Sequence, residues 1–209
     1  LQKRSRMQRG LISERVNLIV VDEAHNLENK VRSATTVYLS QGAIMNTIRS
    51  AIREVPAADR QHVQRSLGPA ETAVRAFYRL LGEQVQQQIS ESVQDMKYAD
   101  RFFFRNSDTA MELLTAMSKT LTDLADDVEL QLSRTEIVSS NASASDELEN
   151  TVSGLDDLLH DFDDYLVWME RRGPNIDLVY CPKNTRQIIR RLFFNNDVLS
   201  ILTSATLTT

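Results

Sequence analysis

The stretch VNLIVVDEAHNLE, residues 16–28, decides the interpretation of the fold. It opens with a short, β-branched apolar run, Val16–Val21, that has polar residues on both sides. Parallel strands are buried on both faces, and they therefore lose the alternation of apolar and polar residues found in half-exposed strands. The run predicts a buried parallel strand, and a second run near the end of the chain, Val198–Leu202, predicts another.

Helical periodicity fills most of the chain between these two strands. Ser40 is expected to cap a helix that ends before Pro56, and Gly68-Pro69 is expected to break the next helical segment. Ser107 is expected to cap a third helix. A further apolar seam has steps of 4, 3, 4, 3 and 4, the spacing that helices need for knobs-into-holes packing, and the Ser107 helix is its expected partner in a bundle. A coiled-coil dimer is the alternative. The seam consists of Leu148, Val152, Leu155, Leu159, Phe162 and Leu166.

Two other segments are predicted to be extended. Arg101–Arg105 has the sequence RFFFR, and its aromatic rings are expected in the core, with stacking on nucleic-acid bases as the alternative. Residues 166–170 and 176–180 flank a Gly-Pro-Asn turn at 173–175, which predicts a hairpin. A helix over residues 185–194 is then expected to lead into the last strand.

These elements predict a mainly α protein, in which a bundle of long helices is inserted between two parallel strands of a small α/β base. A parallel crossover needs only about a dozen residues, so an insertion of this length must form a domain of its own. The expected domains are residues 1–37 and 167–209 in the base and residues 38–166 in the helical insertion.

The composition is that of an ordinary globular protein: 209 residues, 42% hydrophobic, 25% charged, with a net charge of -5. No run approaches the ~20 apolar residues of a membrane span, so no membrane partner is expected. The single cysteine, Cys181, excludes an internal disulfide or a four-cysteine metal cluster and is expected to be a small packing residue. No signal peptide is evident, which favours the cytosol. The ends at Leu1 and Thr209 suggest a piece of a longer protein.

The charge is distributed unevenly. Residues 1–15 have a net charge of +4 and residues 171–191 of +5, whereas residues 123–164 have a net charge of -12. Basic clusters can contact phosphate backbones, because Lys and Arg displace condensed counterions there. Solvated helix faces are the alternative, and they are the expected role of the acidic segment.

Asp22-Glu23-Ala24-His25 follows the first strand directly, at the carboxyl end, where α/β proteins bind ligands. An Asp in this position helps to hold Mg²⁺ in nucleotide hydrolases, because this hard cation prefers oxygen ligands. A Glu one residue later can deprotonate the attacking water. The alternative is that both acids merely begin a helix, whose N-terminus favours negative charge.

Residues 20–28, VVDEAHNLE, and residues 202–208, LTSATLT, together resemble superfamily 2 helicases, in which a DEAH form of the Walker B motif is followed by a Ser-Ala-Thr motif. The helical insertion between them is similar to the arch domain of the XPD/DinG branch. VWME at residues 167–170, Cys181-Pro182 and Leu192-Phe193 resemble the approach to the second motif in DinG-like bacterial members. The resemblance implies a helical arch domain inserted into a truncated RecA-like base.

The resemblance also implies roles for individual residues. Asp22 would coordinate Mg²⁺ through water, Glu23 would share this metal site and activate the hydrolytic water, and His25 would couple the site to the Ser-Ala-Thr motif. Ser204 and Thr206 would link hydrolysis to strand separation. Four residues are expected to contact DNA: Arg101, Arg105, Arg171 and Arg172.

The implied parent is an ATP-dependent DNA helicase of the bacterial cytoplasm with a role in DNA repair. It would use ATP and Mg²⁺, bind single-stranded or forked DNA, and contain the remaining motor-domain segments. None of the six glycines here is followed by Lys, so the chain lacks the phosphate loop G-x-x-x-x-G-K-[ST] and is expected to be inactive alone, with no tightly bound cofactor. An iron–sulfur cluster would lie outside this chain, and its presence in the parent stays open.

A non-catalytic helical interaction or DNA-binding module is the alternative, in which both motifs arise by coincidence. The arrangement of the two strands distinguishes these interpretations. If the strands that end at Val21 and Leu202 are parallel neighbours, Asp22 and Ser204 lie close together, as the helicase interpretation requires.

Overall fold

The chain is mainly α with two small sheets in the computed structural model, which describes residues 18–92, 99–134, 143–194 and 199–204. The helices are α1 (Leu27–Thr35), α2 (Gln41–Glu54), α3 (Arg60–Glu91), α4 (Asp108–Ser133), α5 (Ala144–His160) and α6 (Thr185–Phe193). The strands are β1 (Leu18–Val21), β2 (Val37–Ser40), β3 (Arg101–Phe103), β4 (Tyr165–Arg172), β5 (Asn175–Pro182) and β6 (Leu199–Leu202). The mainly α prediction is confirmed. Within the described ranges, no helix has the length and apolar character that a membrane span requires.

The chain divides into two compact units. The smaller unit comprises the chain up to Thr36 and from Cys181 onward, and the larger unit comprises Val37–Tyr180. Most of the hairpin of β4 and β5, up to Tyr180, lies in the larger unit, in which β5 pairs with β2 and β4 pairs with β3. The domain boundary at residue 167 stays a prediction.

In the smaller unit, β1 and β6 form a parallel pair in which Leu18 is opposite Leu199 and Val21 is opposite Leu202. The predicted parallel strands are confirmed, but the prediction that they are buried is wrong. Four apolar side chains on alternating positions, which share one face, are between 44% and 66% exposed: Leu18, Val20, Leu199 and Ile201. The intervening side chains are half-buried, so the described residues cover only one face of this pair. Positions 16, 17 and 198 of the predicted strands lie outside the described residues.

In the larger unit, four strands follow the order β2-β5-β4-β3. The predicted hairpin is confirmed: β4 and β5 are hydrogen-bonded neighbours joined by Gly173 and Pro174. Gly173 has a φ of 62°, which a glycine adopts without steric cost. Cys181, the residue of β5 at which the smaller unit resumes, is buried, in agreement with its expected packing role.

Strand β3 confirms the predicted extended segment, and α3 completes its outer edge. The side-chain amide of Gln88 donates to the Phe103 carbonyl at 2.8 Å and accepts from the Phe103 N–H at 3.0 Å. Gln84 makes the same pair of bonds with the main chain of Arg105, at 3.0 and 2.9 Å. Because unpaired edge groups invite pairing with another chain, these two amides protect the edge. Phe102 is buried, whereas the Phe103 side chain is 81% exposed.

The predicted N-caps of α2 and α4 are confirmed. The Ser40 hydroxyl accepts from the Ala43 N–H at 3.0 Å, and the Ser107 hydroxyl accepts from the Ala110 N–H at 3.2 Å. These bonds satisfy N–H groups that the first helical turn leaves without a partner. Helices α2 to α5 bury a common core, whose largest fully buried members include Phe77, Ile44, Ile48, Leu81, Leu114, Met117, Leu121, Leu124, Leu148 and Leu155.

Helix α5 confirms only the first part of the predicted seam. It packs against α4, as expected, and also against α2. The prediction that the seam continues to Leu166 is wrong, because the helix ends at His160, Phe162 lies in a 3₁₀ turn and Leu166 lies on β4. Leu158 is fully buried, whereas Leu159, the predicted seam residue, is only partly buried.

The prediction that Gly68-Pro69 breaks a helix is also wrong, since α3, which is 32 residues long, continues through Pro69. Pro69 removes one helical hydrogen bond, but apolar residues before and after it are fully buried, among them Val63, Ala70 and Val74. Their burial offsets the local cost of the proline, so tertiary packing decides the conformation here.

Pro69→Ala is expected to stabilise the larger unit. Proline is about 3 kcal/mol less favourable than alanine inside a helix, and about 1 kcal/mol of this is offset because proline also restricts the unfolded chain. Since Pro69 is exposed, the substitution removes no core contact, and a net gain of about 2 kcal/mol in the free energy of unfolding should appear in urea denaturation. A lower unfolding midpoint would contradict this account of α3.

Candidate active site

The register of β1 and β6 brings the two sequence motifs together. Beyond the pair Val21–Leu202, the Thr203 N–H donates to the Val21 carbonyl and the Ala24 N–H donates to the Thr203 carbonyl, each at 2.9 Å. The predicted arrangement of β1 and β6 as parallel neighbours is therefore confirmed, and Thr203, the residue before Ser204, lies beside Asp22. Parallel strands that end together place the segments that follow them at one edge of the sheet.

Asp22 is exposed at this edge, and its carboxylate is held by two hydrogen bonds. Oδ1 accepts from the hydroxyl of Thr203 at 2.8 Å and from the Glu23 N–H at 2.9 Å. These bonds, with that of Thr203 the stronger cause, lower the pKa of Asp22 below its usual value. Both bonds end on Oδ1, so they leave Oδ2 for a ligand.

Glu23 has a left-handed backbone, with φ 53° and ψ 46°, and it is the one such non-glycine residue in the described ranges. This conformation costs about 1–2 kcal/mol for a residue with a Cβ. The surrounding hydrogen bonds stabilise it, because the Glu23 N–H donates to Asp22 and its carbonyl accepts from the Asn26 N–H at 2.9 Å. Strain of this kind is concentrated at functional sites, where the surrounding structure holds it.

His25 connects the two motifs through one ring nitrogen. Its Nδ1 lies 2.9 Å from the hydroxyl of Ser204 and 3.1 Å from Oε2 of Glu23. His25 is the middle residue of a 3₁₀ turn, Ala24–Asn26, that leads into α1. Glu23, His25 and Ser204 therefore form a continuous side-chain path across the two strands.

The other site residues predicted from the sequence lie elsewhere. Thr206 is outside the described residues. The four arginines lie in the larger unit, three of them paired with acids: Arg101 with Glu170 at 3.1 Å, Arg105 with Glu91, and Arg172 with Glu170 at 3.5 Å and Asp177 at 3.4 Å. Arg171 is stacked over the Phe102 ring, with its guanidinium carbon 5.6 Å from the ring centre.

The donor set at the strand ends fits Mg²⁺. The described residues contain no group of three or more acids, histidines or cysteines that would form a complete protein cage for a metal. Mg²⁺ instead binds through one or two carboxylates and fills its other positions with water and substrate phosphates. Asp22 with its available Oδ2 and the adjacent Glu23 provide such a partial set, and both are exposed.

Thr203 is the site residue that the sequence analysis missed. The signal was present in the strand pairing. Val21 is opposite Leu202, so the residues that follow them, Asp22 and Thr203, are also neighbours.

A scan against protein-family models and a search of curated proteins both return no match for this chain. The functional interpretation therefore depends on the geometry of these residues.

Thr203→Val is expected to raise the pKa of Asp22. Valine has nearly the same shape but no hydroxyl, so it removes the main hydrogen bond that favours the ionised carboxylate. A titration followed by the ¹³C chemical shift of the Asp22 carboxyl should move to higher pH in this variant and stay near the original curve in Thr203→Ser. Equal curves for the Thr203→Val variant and the unaltered chain would show that the hydrogen bond has no such role.

Proposed function

We propose that the chain is part of an ATP-dependent DNA helicase of the XPD/DinG type, in which a helical arch is inserted into a RecA-like motor domain. The observation that carries the proposal is the contact between motifs: Asp22 with Thr203, and His25 with Ser204, at 2.8 and 2.9 Å. Asp22 and Thr203 are 181 positions apart in the sequence, and His25 and Ser204 are 179 positions apart. Coincidental motifs have no reason to meet at the ends of parallel neighbouring strands.

Asp22 and Glu23 are the residues that would hold Mg²⁺ together with the phosphates of ATP. The bound ion supplies charge neutralisation at the transferred phosphoryl group. Asp22 contributes an ionised carboxylate whose orientation is fixed by Thr203, so binding requires little reorganisation. The ATP-binding loop and the second motor domain belong to other segments of the proposed parent protein.

Glu23 acts in this proposal as the base that receives a proton from the attacking water. Its side chain is 56% exposed, so water can reach the carboxylate. His25 contacts Glu23 Oε2 and the Ser204 hydroxyl through the same nitrogen, so a shift of the segment after β6 changes the position of the base. This contact is the proposed route by which hydrolysis and strand separation are coupled, and Ser204 and Thr206 are the proposed coupling residues of the Ser-Ala-Thr motif.

Single-stranded or forked DNA is the proposed substrate. Arg101, Arg105, Arg171 and Arg172 stay candidates for DNA contact, but a phosphate would have to replace the carboxylates that now pair with three of them. Arg105 and Glu91 are both exposed, and exposed ion pairs are worth at most about 1 kcal/mol, so the exchange is energetically accessible at Arg105. Glu170 and Asp177 are largely buried, so the exchange costs more at Arg101 and Arg172.

The full-length protein provides the test. It should hydrolyse ATP with Mg²⁺, hydrolyse it faster in the presence of single-stranded DNA, and separate a forked duplex. The 209-residue chain alone should not hydrolyse ATP, because it lacks a phosphate loop. A full-length protein with no nucleotide hydrolysis would overturn the proposal and favour the non-catalytic interaction module.

A further inference from the structure

The strongest net positive charge in the smaller unit lies on its two helices. Residues 27–35 and 183–194, which comprise α1, α6 and the turn before α6, contain six basic residues and one acid. The basic residues are Lys30, Arg32, Lys183, Arg186, Arg190 and Arg191. The acid, Glu28, is already engaged by Arg32 at 3.2 Å and by the Thr185 hydroxyl at 3.3 Å. The helix pair therefore has a net charge of +5 with no further carboxylate of its own.

The cations are presented to solvent by the packing of the helices. α1 packs against α6, and its buried or half-buried residues are Leu27, Val31, Arg32 and Thr35, while those described on α6 are Thr185, Ile188, Ile189 and Phe193. The five cations other than Arg32 are exposed. Lys30, Arg186 and Arg190 are exposed and form no salt bridge within the described ranges. Arg186 and Arg190 are four residues apart on α6, so both lie on one face of the helix.

We infer that this α1/α6 basic surface binds the phosphate backbone of single-stranded DNA. Lys and Arg gain binding free energy from the release of condensed counterions, and Arg also matches the phosphate geometry with two parallel hydrogen bonds. Four of the six cations are arginines. The choice of DNA as the polyanion rests on the proposed function, and the surface adds a contact site in the motor unit.

The exposed positions of α6 argue against a protein or membrane partner. Among the α6 side chains that the structure describes, the exposed ones are Arg186, Gln187, Arg190 and Arg191, all of them polar. Protein interfaces depend on buried aromatic or aliphatic anchors, and membrane-surface helices need large apolar residues on the embedded face. The half-exposed Phe194 directly after the helix provides a ring on which a base can stack.

The experiment measures binding of the 209-residue chain to a fluorescein-labelled 20-nucleotide oligothymidylate by anisotropy at several salt concentrations. The variant Arg186→Gln/Arg190→Gln removes two exposed cations and no buried contact. Each lost phosphate contact lowers the slope of log affinity against log salt by about 0.7 for single strands, so the double variant should lower it by about 1.4 and weaken binding at low salt by at least about tenfold.

The matched control is Arg75→Gln/Arg79→Gln, a second exposed pair four residues apart, on α3. It changes the net charge by the same amount, and its salt slope and affinity should stay near those of the unaltered chain. Equal losses in both double variants would indicate only net charge and would overturn the inference. The inference would also be overturned if the α6 variant kept the slope of log affinity against log salt, or if only Arg101→Gln/Arg105→Gln lost affinity for DNA. Binding of anionic vesicles without binding of DNA would overturn it as well. ATP hydrolysis by the full-length protein tests the proposed function separately, so the two can fail independently.

Discussion

Replacing Glu23 by Gln in the full-length protein is expected to lower the rate of Mg²⁺-dependent ATP hydrolysis by about 10²–10⁴-fold, the usual contribution of a positioned general base. Gln has nearly the same size and can keep a hydrogen bond to the His25 ring, which lies 3.1 Å from the Glu23 carboxylate. It cannot accept a proton from water at neutral pH. Nucleotide binding should be largely retained, because the Asp22 carboxylate and its bond to Thr203 are unchanged.

The measurement is steady-state hydrolysis together with equilibrium binding of a fluorescent ATP analogue. Glu28→Gln is the matched control, because this exposed acid lies five positions later, on α1, and its partners are Arg32 and Thr185 rather than the Ser-Ala-Thr segment. The control should keep hydrolysis within a few-fold of the parent rate. Comparable activity in the Glu23 variant and the Glu28 control would exclude Glu23 as the base, even if the protein is a helicase.

Local sequence signals predicted the parts of the fold that depend on local chemistry. Ser40 and Ser107 were identified as N-caps because a serine before an apolar helical pattern can satisfy free N–H groups in the first turn. The Gly-Pro-Asn turn at residues 173–175, flanked by two apolar runs, predicts the hairpin, and Gly173 adopts a positive φ there. In each case the deciding interaction is made within a few residues of the signal, so the sequence contains all of it.

Predictions that depend on distant contacts were less successful. Pro69 lies inside α3 because residues on both sides are buried against other elements, which local propensity cannot reveal. The seam ends at His160 although Phe162 and Leu166 continue its spacing, because Leu166 belongs to a strand that pairs elsewhere in the sheet. The same apolar residue can satisfy a helical period or a strand, so spacing alone does not fix where the helix ends.

The candidate site combines both cases. The motifs predicted that Asp22 and Ser204 would lie close together, and the parallel pairing of β1 and β6 brings Thr203 against Asp22 and Ser204 against His25. The left-handed backbone of Glu23 and the bond from Thr203 to Asp22 were not predicted. The bond from Thr203 depends on the exact register of β1 and β6, since a shift of one residue would move the Thr203 side chain to the other face.

The helical core of the larger unit should be strongly sensitive to the loss of Leu121. This side chain is fully buried on α4, so Leu121→Ala removes apolar contacts and leaves a cavity. Comparable substitutions cost about 2.7–5 kcal/mol in the free energy of unfolding, a large part of the about 5–15 kcal/mol that stabilises a typical domain. Because the chain forms two compact units, a probe specific to one of them is required.

Trp168, the single tryptophan, provides that probe, since it lies on β4 in the larger unit. Its fluorescence during urea denaturation should show a lower midpoint for Leu121→Ala with little change in the slope of the unfolding free energy against urea. Leu130→Ala is the matched control, because Leu130 lies on the same helix and is 49% exposed, so its cost should stay below about 1 kcal/mol. If both substitutions lower the free energy of unfolding by the same amount, the Leu121 face of α4 does not pack into the core as described.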